Sequence, residues 1–449
     1  MGNKKLVAVL ALVVVLLGTV FAVAACGSGT SSTTTAAPAT TAAPATTATT
    51  AAATPTSAAP TTATTTAVAP TKTAELSIGG SMPLSGPASV AGLAVANGWK
   101  AAADKVNADG GVVVGDTTYT LKFISEDSKG TTDGATTAAT KLILQDKVPF
   151  IVGDISDNMA EAIYAVSGKA GSLYFNTLPV NGKDVTGAIG QPGADKPLLL
   201  DSVPPESYED IVAAKYLVET YPNAKKVAVA AISFSDYDDY KNLYTKNWGP
   251  LGLTISGFER FDPTTTDYVP VTTKLLESKP DAICVSRAAI PGLIGIVKAA
   301  REQGFTGPIF YCTPTDISLV PQGAPNATDV FGTGLAPDDP NLPQGDKDAI
   351  AVLKAKYGKD FTTDCLVGYG QIMLLVQMIQ KAGSVDPAKV AETFTTLTHP
   401  GDLQSLNGPA YVSGMQTYGA NCLIVRPVPI SRLVNGKAEF VRMNEITVP

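Results

Sequence analysis

The residues able to perform chemistry in this 449-residue chain are few and scattered. His399 is the single histidine, so a Ser-His-Asp triad would have to use that one imidazole, which a proline follows. Asp154 and Asp157 could act as a carboxylate pair in a surface hydrolase, but alternate residues of one loop seldom form such a pair. No nucleophile elbow, phosphate-binding loop, EF-hand loop or H-E-x-x-H motif occurs. The sequence therefore favours a binding protein without catalysis, cofactor or metal.

The cysteines leave two alternatives open. Cys284, Cys312, Cys365 and Cys422 match no zinc-ligand spacing. Cys284 and Cys312 each lie in an apolar, strand-like run, where a cysteine is either a small buried apolar residue or one half of a disulfide.

The N-terminal segment predicts export. Lys4 and Lys5 precede an uncharged apolar run, 6–23, and small residues lead to Cys26, which is typical of a lipoprotein signal with Cys26 as the acylated residue. An uncleaved membrane anchor is the alternative, because the run approaches spanning length. The threonine, alanine and proline composition that follows predicts a disordered stalk over 26–73. We expect the folded part to lie outside the cytoplasmic membrane and tethered to its outer face.

The net charge argues against two kinds of interaction. The formal net charge is −7, which argues against nucleic acid and against a basic membrane-binding patch.

The elements that would position a site alternate between strand and helix. In the stretch 76–111 an extended segment ends at Pro83, and a helix follows with an apolar stripe at Val95, Trp99, Ala102 and Val106 that ends at Gly110. A second series of strands and helices starts near Tyr208 with a helix whose predicted stripe is Ile211, Ala214, Lys215 and Val218. Alternation of this kind predicts a doubly wound parallel sheet.

The fold class predicted is α/β, with two doubly wound parallel-sheet lobes joined by a three-segment hinge. The predicted divisions are a signal peptide at 1–25, the lipidated cysteine and stalk at 26–73, lobe 1 at 74–198 with 331–405, and lobe 2 at 199–330 with 406–449. Exit loops of two such sheets can face each other, which makes the cleft between the lobes the natural ligand site.

Several segments together resemble type I periplasmic-type solute-binding proteins of ABC importers, specifically the branched-chain amino acid and amide group. They are Ile78-Gly-Gly-Ser-Met-Pro-Leu-Ser-Gly-Pro, Val106-Asn-Ala-Asp-Gly-Gly, Glu126-Asp-Ser, Lys147-Val-Pro-Phe-Ile-Val-Gly, Thr266-Asp-Tyr and Lys279-Pro-Asp-Ala-Ile-Cys. The resemblance covers the chain from Glu75 onward. It implies a receptor that closes two lobes on a small polar solute, such as an amino acid or an amide, and delivers it to an ABC permease.

The resemblance also implies which residues contact the ligand. In the family, the loop after the Ile-Val-Gly strand holds the ligand carboxylate through a serine, and here Asp157 stands at that position, beside Ser156. The family's ammonium-binding glutamate follows a proline, and here Gly292 follows Pro291. We therefore expect a rearranged site in which Asp157 faces a donor group and Arg287 an acidic group. The alternative is that Asp157 caps a helix and Arg287 is a solvated surface charge. The expected ligand-binding residues are Ser85, Ser156, Asp157, Thr177, Tyr237, Tyr268 and Arg287, with Ser85 alternatively a turn residue.

The function expected from the sequence is capture of a small solute for import by a monomeric lipoprotein with permease subunits as partners. The alternative is a ligand-sensing receptor domain that reports to a membrane signalling partner.

Overall fold

The opening strand and helix have the form that the sequence predicts. The computed structural model describes residues 70–178, 187–233, 240–312, 316–325 and 327–448. Strand β1 is Lys72–Met82 and helix α1 is Ser89–Ala108. The predicted stripe of α1, which includes Trp99, is buried, and Gly110 follows the helix with φ of 106°. Cys26 and most of the predicted stalk lie outside the described residues.

The remaining elements follow in chain order. Up to residue 201 they are β2 Val112–Val114, β3 Thr117–Asp127, α2 Thr132–Thr140 with a π-helical turn Lys141–Gln145, β4 Phe150–Gly153, α3 Asp157–Ala170, β5 Leu173–Asn176 and β6 Leu199–Asp201. Next come α4 Glu206–Thr220, β7 Lys226–Ile232, α5 Tyr240–Trp248, β8 Thr254–Phe261, α6 Val269–Glu277, β9 Ala282–Ser286, α7 Ile290–Glu302, β10 Ile309–Tyr311, α8 Val320–Gly323 and β11 Val330–Thr333. The last are α9 Gln344–Tyr357, α10 Asp364–Ala382, α11 Pro387–Phe394, β12 Leu403–Ser405, β13 Gly408–Ser413, α12 Met415–Tyr418, β14 Leu423–Val425, β15 Val428–Val434 and β16 Lys437–Asn444.

These strands form two sheets, which confirms the predicted fold class. The first has the order β12-β13-β14-β6-β5-β4-β1-β3-β2 and the second the order β16-β15-β11-β10-β9-β7-β8. The central strands of both sheets are parallel. In each sheet the winding reverses once, between β1 and β4 in the first and between β7 and β9 in the second. Ligands of doubly wound sheets bind beyond the carboxyl ends of the strands at such reversals.

Sheet membership differs from the predicted lobe boundaries at three places. Strands β6, β13 and β14 belong to the first sheet, whereas β11 belongs to the second. The chain passes between the sheets at 202–205, 334–343 and 426–427, so we define these three segments as the crossovers. Strands of three to six residues carry no local signal for the sheet that they join, because their pairing partners lie far away in the sequence.

The interior of the first lobe depends on a close contact between α1 and α10. A Cβ atom on Gly98 would lie 2.0 Å from the Cys365 carbonyl oxygen, and one on Gly368 would lie 2.1 Å from the Val95 carbonyl oxygen. The two backbones therefore approach closely only because both positions are glycine. Trp99 Nε1 donates to Gln371 Oε1 at 2.7 Å beside this contact.

Helix α4 buries a different face from the one predicted. Lys215 is exposed and Ile211 and Val218 are only half-buried, while Glu209 and Asp210 are buried. The apolar pattern pointed to the wrong face because two of the buried positions are acids, whose partners come from distant segments.

The four cysteines Cys284, Cys312, Cys365 and Cys422 are buried and form no disulfide bond in the structure. The sulfur atoms of Cys284 and Cys312 lie 3.4 Å apart on neighbouring strands. The structure therefore favours the buried-thiol alternative.

Candidate functional site

The sheet reversal of the first lobe carries a buried polar network. Ser81, at the end of β1, donates from Oγ to Asp154 Oδ2 at 3.1 Å. The Asp154 backbone N–H donates to the Tyr174 hydroxyl at 3.0 Å, and that hydroxyl donates to Asn176 Oδ1 at 3.1 Å. Asn176 Nδ2 then donates to Asp201 Oδ1 at 3.0 Å. Side chains from four neighbouring strand ends are thus fixed relative to each other before any ligand arrives.

Burial is the main influence on the pKa values of the two acids in this network. It raises the pKa of Asp154 to about 7, against hydrogen bonds from Ser128 and Ser81 that favour the ionised form. Burial also raises the pKa of Asp201 well above its ordinary value; the hydrogen bond from Asn176 opposes the shift and the charge of Asp157 adds to it. Burial therefore favours the neutral form of Asp201.

Asp157 occupies the first turn of α3, and Ser156 is the residue that caps the helix. The Ser156 Oγ accepts a hydrogen bond from the Met159 N–H at 3.3 Å. The alternative in which Asp157 is the cap is therefore wrong. The Asp157 carboxylate is 1% exposed, and the turn at Gly190 packs on its backbone so closely that a Cβ there would lie 2.1 Å from the Asp157 carbonyl oxygen.

Arg287 lies at the reversal of the second sheet, directly after β9, and is not a solvated surface charge. Its side chain is 5% exposed and forms ion pairs with Glu206 and with Asp210, the latter at 3.2 Å. The guanidinium carbon also lies 4.1 Å from the centre of the Tyr240 ring, a cation–π contact. Burial lowers the pKa of Arg287 to about 9, so the group remains a cation at neutral pH.

The charge of Asp157 raises the pKa of Arg287, so the two groups lie within electrostatic range although they come from different sheets. Arg287 also pairs with Glu206 and Asp210, and burial raises the pKa of Asp210 well above its ordinary value. The arrangement has more acidic than basic groups. Beside Asp157 a positive or hydrogen-bond-donating group would be stabilised and a carboxylate repelled.

Two other predicted ligand residues have partners within the protein. Thr177 is buried and its Oγ1 donates to Gln371 Oε1 at 2.9 Å. Ser85 is exposed and its Oγ donates to Asp127 Oδ2 at 2.6 Å, in line with the turn alternative. Both side chains orient exit loops of the first sheet.

The two tyrosines expected at the ligand, Tyr268 and Tyr237, differ in what the structure shows of them. Tyr268 precedes α6, and its ring packs edge-on against Phe261 at 5.5 Å and over Gly295, where any Cβ would collide with the ring. That position makes it a packing residue between α6 and α7. Tyr237 lies outside the described residues. Gly292 is buried in the first turn of α7, beside Ala288 and Phe261.

Sequence reasoning missed Glu206, Asp210 and Tyr240 around Arg287, and it missed Asp201. One signal was present, because Glu206 and Asp210 are four residues apart and share one face of α4. Two acids on one otherwise apolar helix face indicate a buried cation somewhere else in the chain.

Comparison with known proteins identifies the family. Residues 75–428 match the family model described as Periplasmic binding protein, and the chain therefore belongs to that family. It is 23% identical over 335 residues to a Leu/Ile/Val-binding protein of Rhizobium johnstonii, an alignment that covers 71% of this chain and 83% of the relative.

Two solved structures show the same fold. A solute-binding protein of an ABC transporter from Rhodopseudomonas palustris, in complex with p-hydroxybenzoic acid, has a TM-score of 0.67 at 20% identity, covering 84% of this chain and 97% of its own. The branched-chain amino acid transporter substrate-binding protein LivJ from Streptococcus pneumoniae, in complex with isoleucine, has a TM-score of 0.65 at 21% identity, covering 83% and 100%. Within the described part of the chain, no helix has the length and apolar character needed to cross a membrane.

Proposed function

We propose that the protein is an extracytoplasmic lipoprotein, anchored through Cys26, that captures a small polar solute between its two lobes and delivers it to the permease of an ABC importer. The observation that supports this most is the electrostatic influence of Asp157, at the reversal of one sheet, on Arg287, at the reversal of the other, in a member of the periplasmic binding protein family.

The solute presents a hydrogen-bond donor or a positive group to Asp157. A ligand carboxylate about 4 Å from that side chain would be repelled by on the order of 4 kcal/mol at an effective dielectric constant of about 20. Arg287 does not offset this, because Glu206 and Asp210 already balance its charge. Amines, amides and amidines are therefore the favoured solutes, and free carboxylic acids are disfavoured.

A thermal-shift screen of the purified protein tests this proposal. Leucinamide and leucine, and benzamide and benzoate, are pairs that differ in one carboxyl or amide group. A ligand that binds only the folded state raises the melting temperature by mass action. We expect amide members to raise it more than acids, and Asp157→Asn to remove the difference. A larger shift with the acids would contradict the proposed solute class.

The anchor is tested separately by fractionating cells. Wild-type protein should sediment with membranes, and Cys26→Ala should release the protein or leave an unprocessed precursor. Identical acylation and processing in both would overturn the role of Cys26.

A further inference from the structure

A cavity of about 90 Å³ is lined by residues of all three crossovers. Val203, Leu335 and Arg426 line it, one from each crossover, together with the first turns of α9 and α10. We call it the hinge cavity. An occupant would touch each of the three segments through which the chain passes between the sheets.

Asp346, in the first turn of α9, lines the hinge cavity with a carboxyl group that is 0% exposed. Neither of its oxygens accepts a hydrogen bond from any described residue. A buried carboxylate without a partner costs several kcal/mol, and native proteins normally balance it. Burial raises its pKa to about 7, which the nearby Arg426 opposes.

The other charged residues around the hinge cavity do not balance the carboxylate of Asp346. Arg426 forms an ion pair with Glu209 at 3.5 Å, and Asp364 adds a third carboxyl group to the lining. One guanidinium thus faces three carboxyl groups. Among the described residues no group of three or more His, Cys, Asp or Glu side chains could hold a metal ion, which argues against a metal cation here.

The remaining wall is a mixture in which apolar side chains predominate, which favours a cation that carries hydrocarbon. The uncharged polar lining residues are Ser202, Thr363, Gln371, Ser405 and Asn407. The apolar lining residues include Leu335, Leu366, Leu374, Leu406, Val428 and Pro429. A cavity of this size suits a ligand of a few heavy atoms, such as one ammonium and two carbons.

We propose that the hinge cavity is a binding site for a short primary alkylammonium ion. The ammonium group donates to the Asp346 carboxylate and the alkyl chain packs against the leucine and valine side chains. None of the expected ligand-binding residues within the described part of the chain lines the hinge cavity, and the proposal does not depend on the function proposed for the solute cleft.

Saturation-transfer NMR on the purified full chain at pH 8, with ethylammonium chloride as the probe, tests the proposal. A ligand of three heavy atoms binds with a Kd on the order of millimolar at best. We expect saturable transfer with ethylammonium, none with ethanol, which matches its size without a charge, and none with acetate, which carries the opposite charge. Butylammonium should bind more weakly because its chain exceeds the volume.

Two variants locate the binding. Asp346→Asn removes the charge at constant size and should weaken ethylammonium binding at least about tenfold. Gly370→Leu fills the hinge cavity from its wall, since a Cβ at Gly370 has only ordinary contacts with Leu406, and should have the same effect. Circular dichroism and urea unfolding verify that both variants fold.

Three results would overturn the proposal. The first is absence of saturable binding, which would mean that the hinge cavity holds only water. The second is unchanged binding in both variants, and the third is loss of binding in Asp157→Asn alone, which would move the amine to the solute cleft.

Discussion

The proposed solute cleft and the hinge cavity both contain buried acids beside one arginine, but the two regions differ in how completely those charged groups are paired. In the cleft, Arg287 has two carboxylates and an aromatic ring against it. In the hinge cavity, Arg426 pairs with Glu209 at 3.5 Å, and Asp346 receives no hydrogen bond from the described residues. The first cluster is a paired network that positions a site, and the second leaves a charge for a ligand to balance.

Helix α4 connects the two regions. Glu206 and Asp210 point to Arg287, while Glu209 points to Arg426. One helical turn therefore serves both clusters, and movement of α4 would change both.

The largest effect expected is from Arg287→Ala. Removing the guanidinium leaves Glu206 and Asp210 buried without their cation, which should lower the free energy of unfolding by roughly 3–5 kcal/mol. Urea unfolding measures it, and Arg426→Ala is the matched control, with a smaller loss because its one ion pair is longer and its side chain more exposed. Equal losses in the two variants would remove the distinction between the clusters.

A smaller and pH-dependent effect is expected from Asp346→Asn. Since folding raises the pKa of this carboxyl group from 3.8 to about 7, its protonation favours the folded state. That contribution is complete below about pH 4 and is lost as the pH rises through about 7. At pH 8 the variant should be more stable than the wild type by on the order of 2–4 kcal/mol, and the difference should vanish near pH 4.

The control for this pH profile is Asp348→Asn on the exposed face of the same helix, which should change stability by less than about 0.5 kcal/mol. An Asp346→Asn profile parallel to the wild type would show that Asp346 is not a buried, unbalanced acid.

The smallest effect is expected from Thr177→Val. It removes the hydroxyl that donates to Gln371 and should cost about 1 kcal/mol, the net worth of one hydrogen bond. If Thr177 instead contacts the solute, affinity should fall by more than the stability loss explains. Calorimetry and urea unfolding on the same variant distinguish the two roles.

Local pattern predicted much of the fold. The opening strand and helix follow the predicted pattern, because the apolar stripe of α1 and the residues that end each element lie within 76–111. The Asn435-Gly436 turn between β15 and β16 is likewise a local signal, since both residues have positive φ, as a two-residue hairpin turn requires.

Contacts between residues that are far apart in the sequence could not be predicted from local pattern. The buried face of α4 depends on Arg287 and Arg426, which lie 77 or more residues away from it. Tyr268 is expected at the ligand from the resemblance, and its packing over Gly295 is a contact that only the tertiary arrangement of α6 and α7 creates. Asp157 was identified from its position in a family pattern. Its electrostatic influence on Arg287 could be identified only from the three-dimensional structure.

Calorimetric titration of the wild type and Asp157→Ser with leucinamide and leucine tests whether Asp157 selects the solute. We expect the wild type to prefer the amide. Serine, the residue that the resemblance implies at this position, should shift the preference toward the acid by at least about tenfold. If the wild type prefers leucine and Asp157→Ser leaves that preference unchanged, Asp157 does not select the solute.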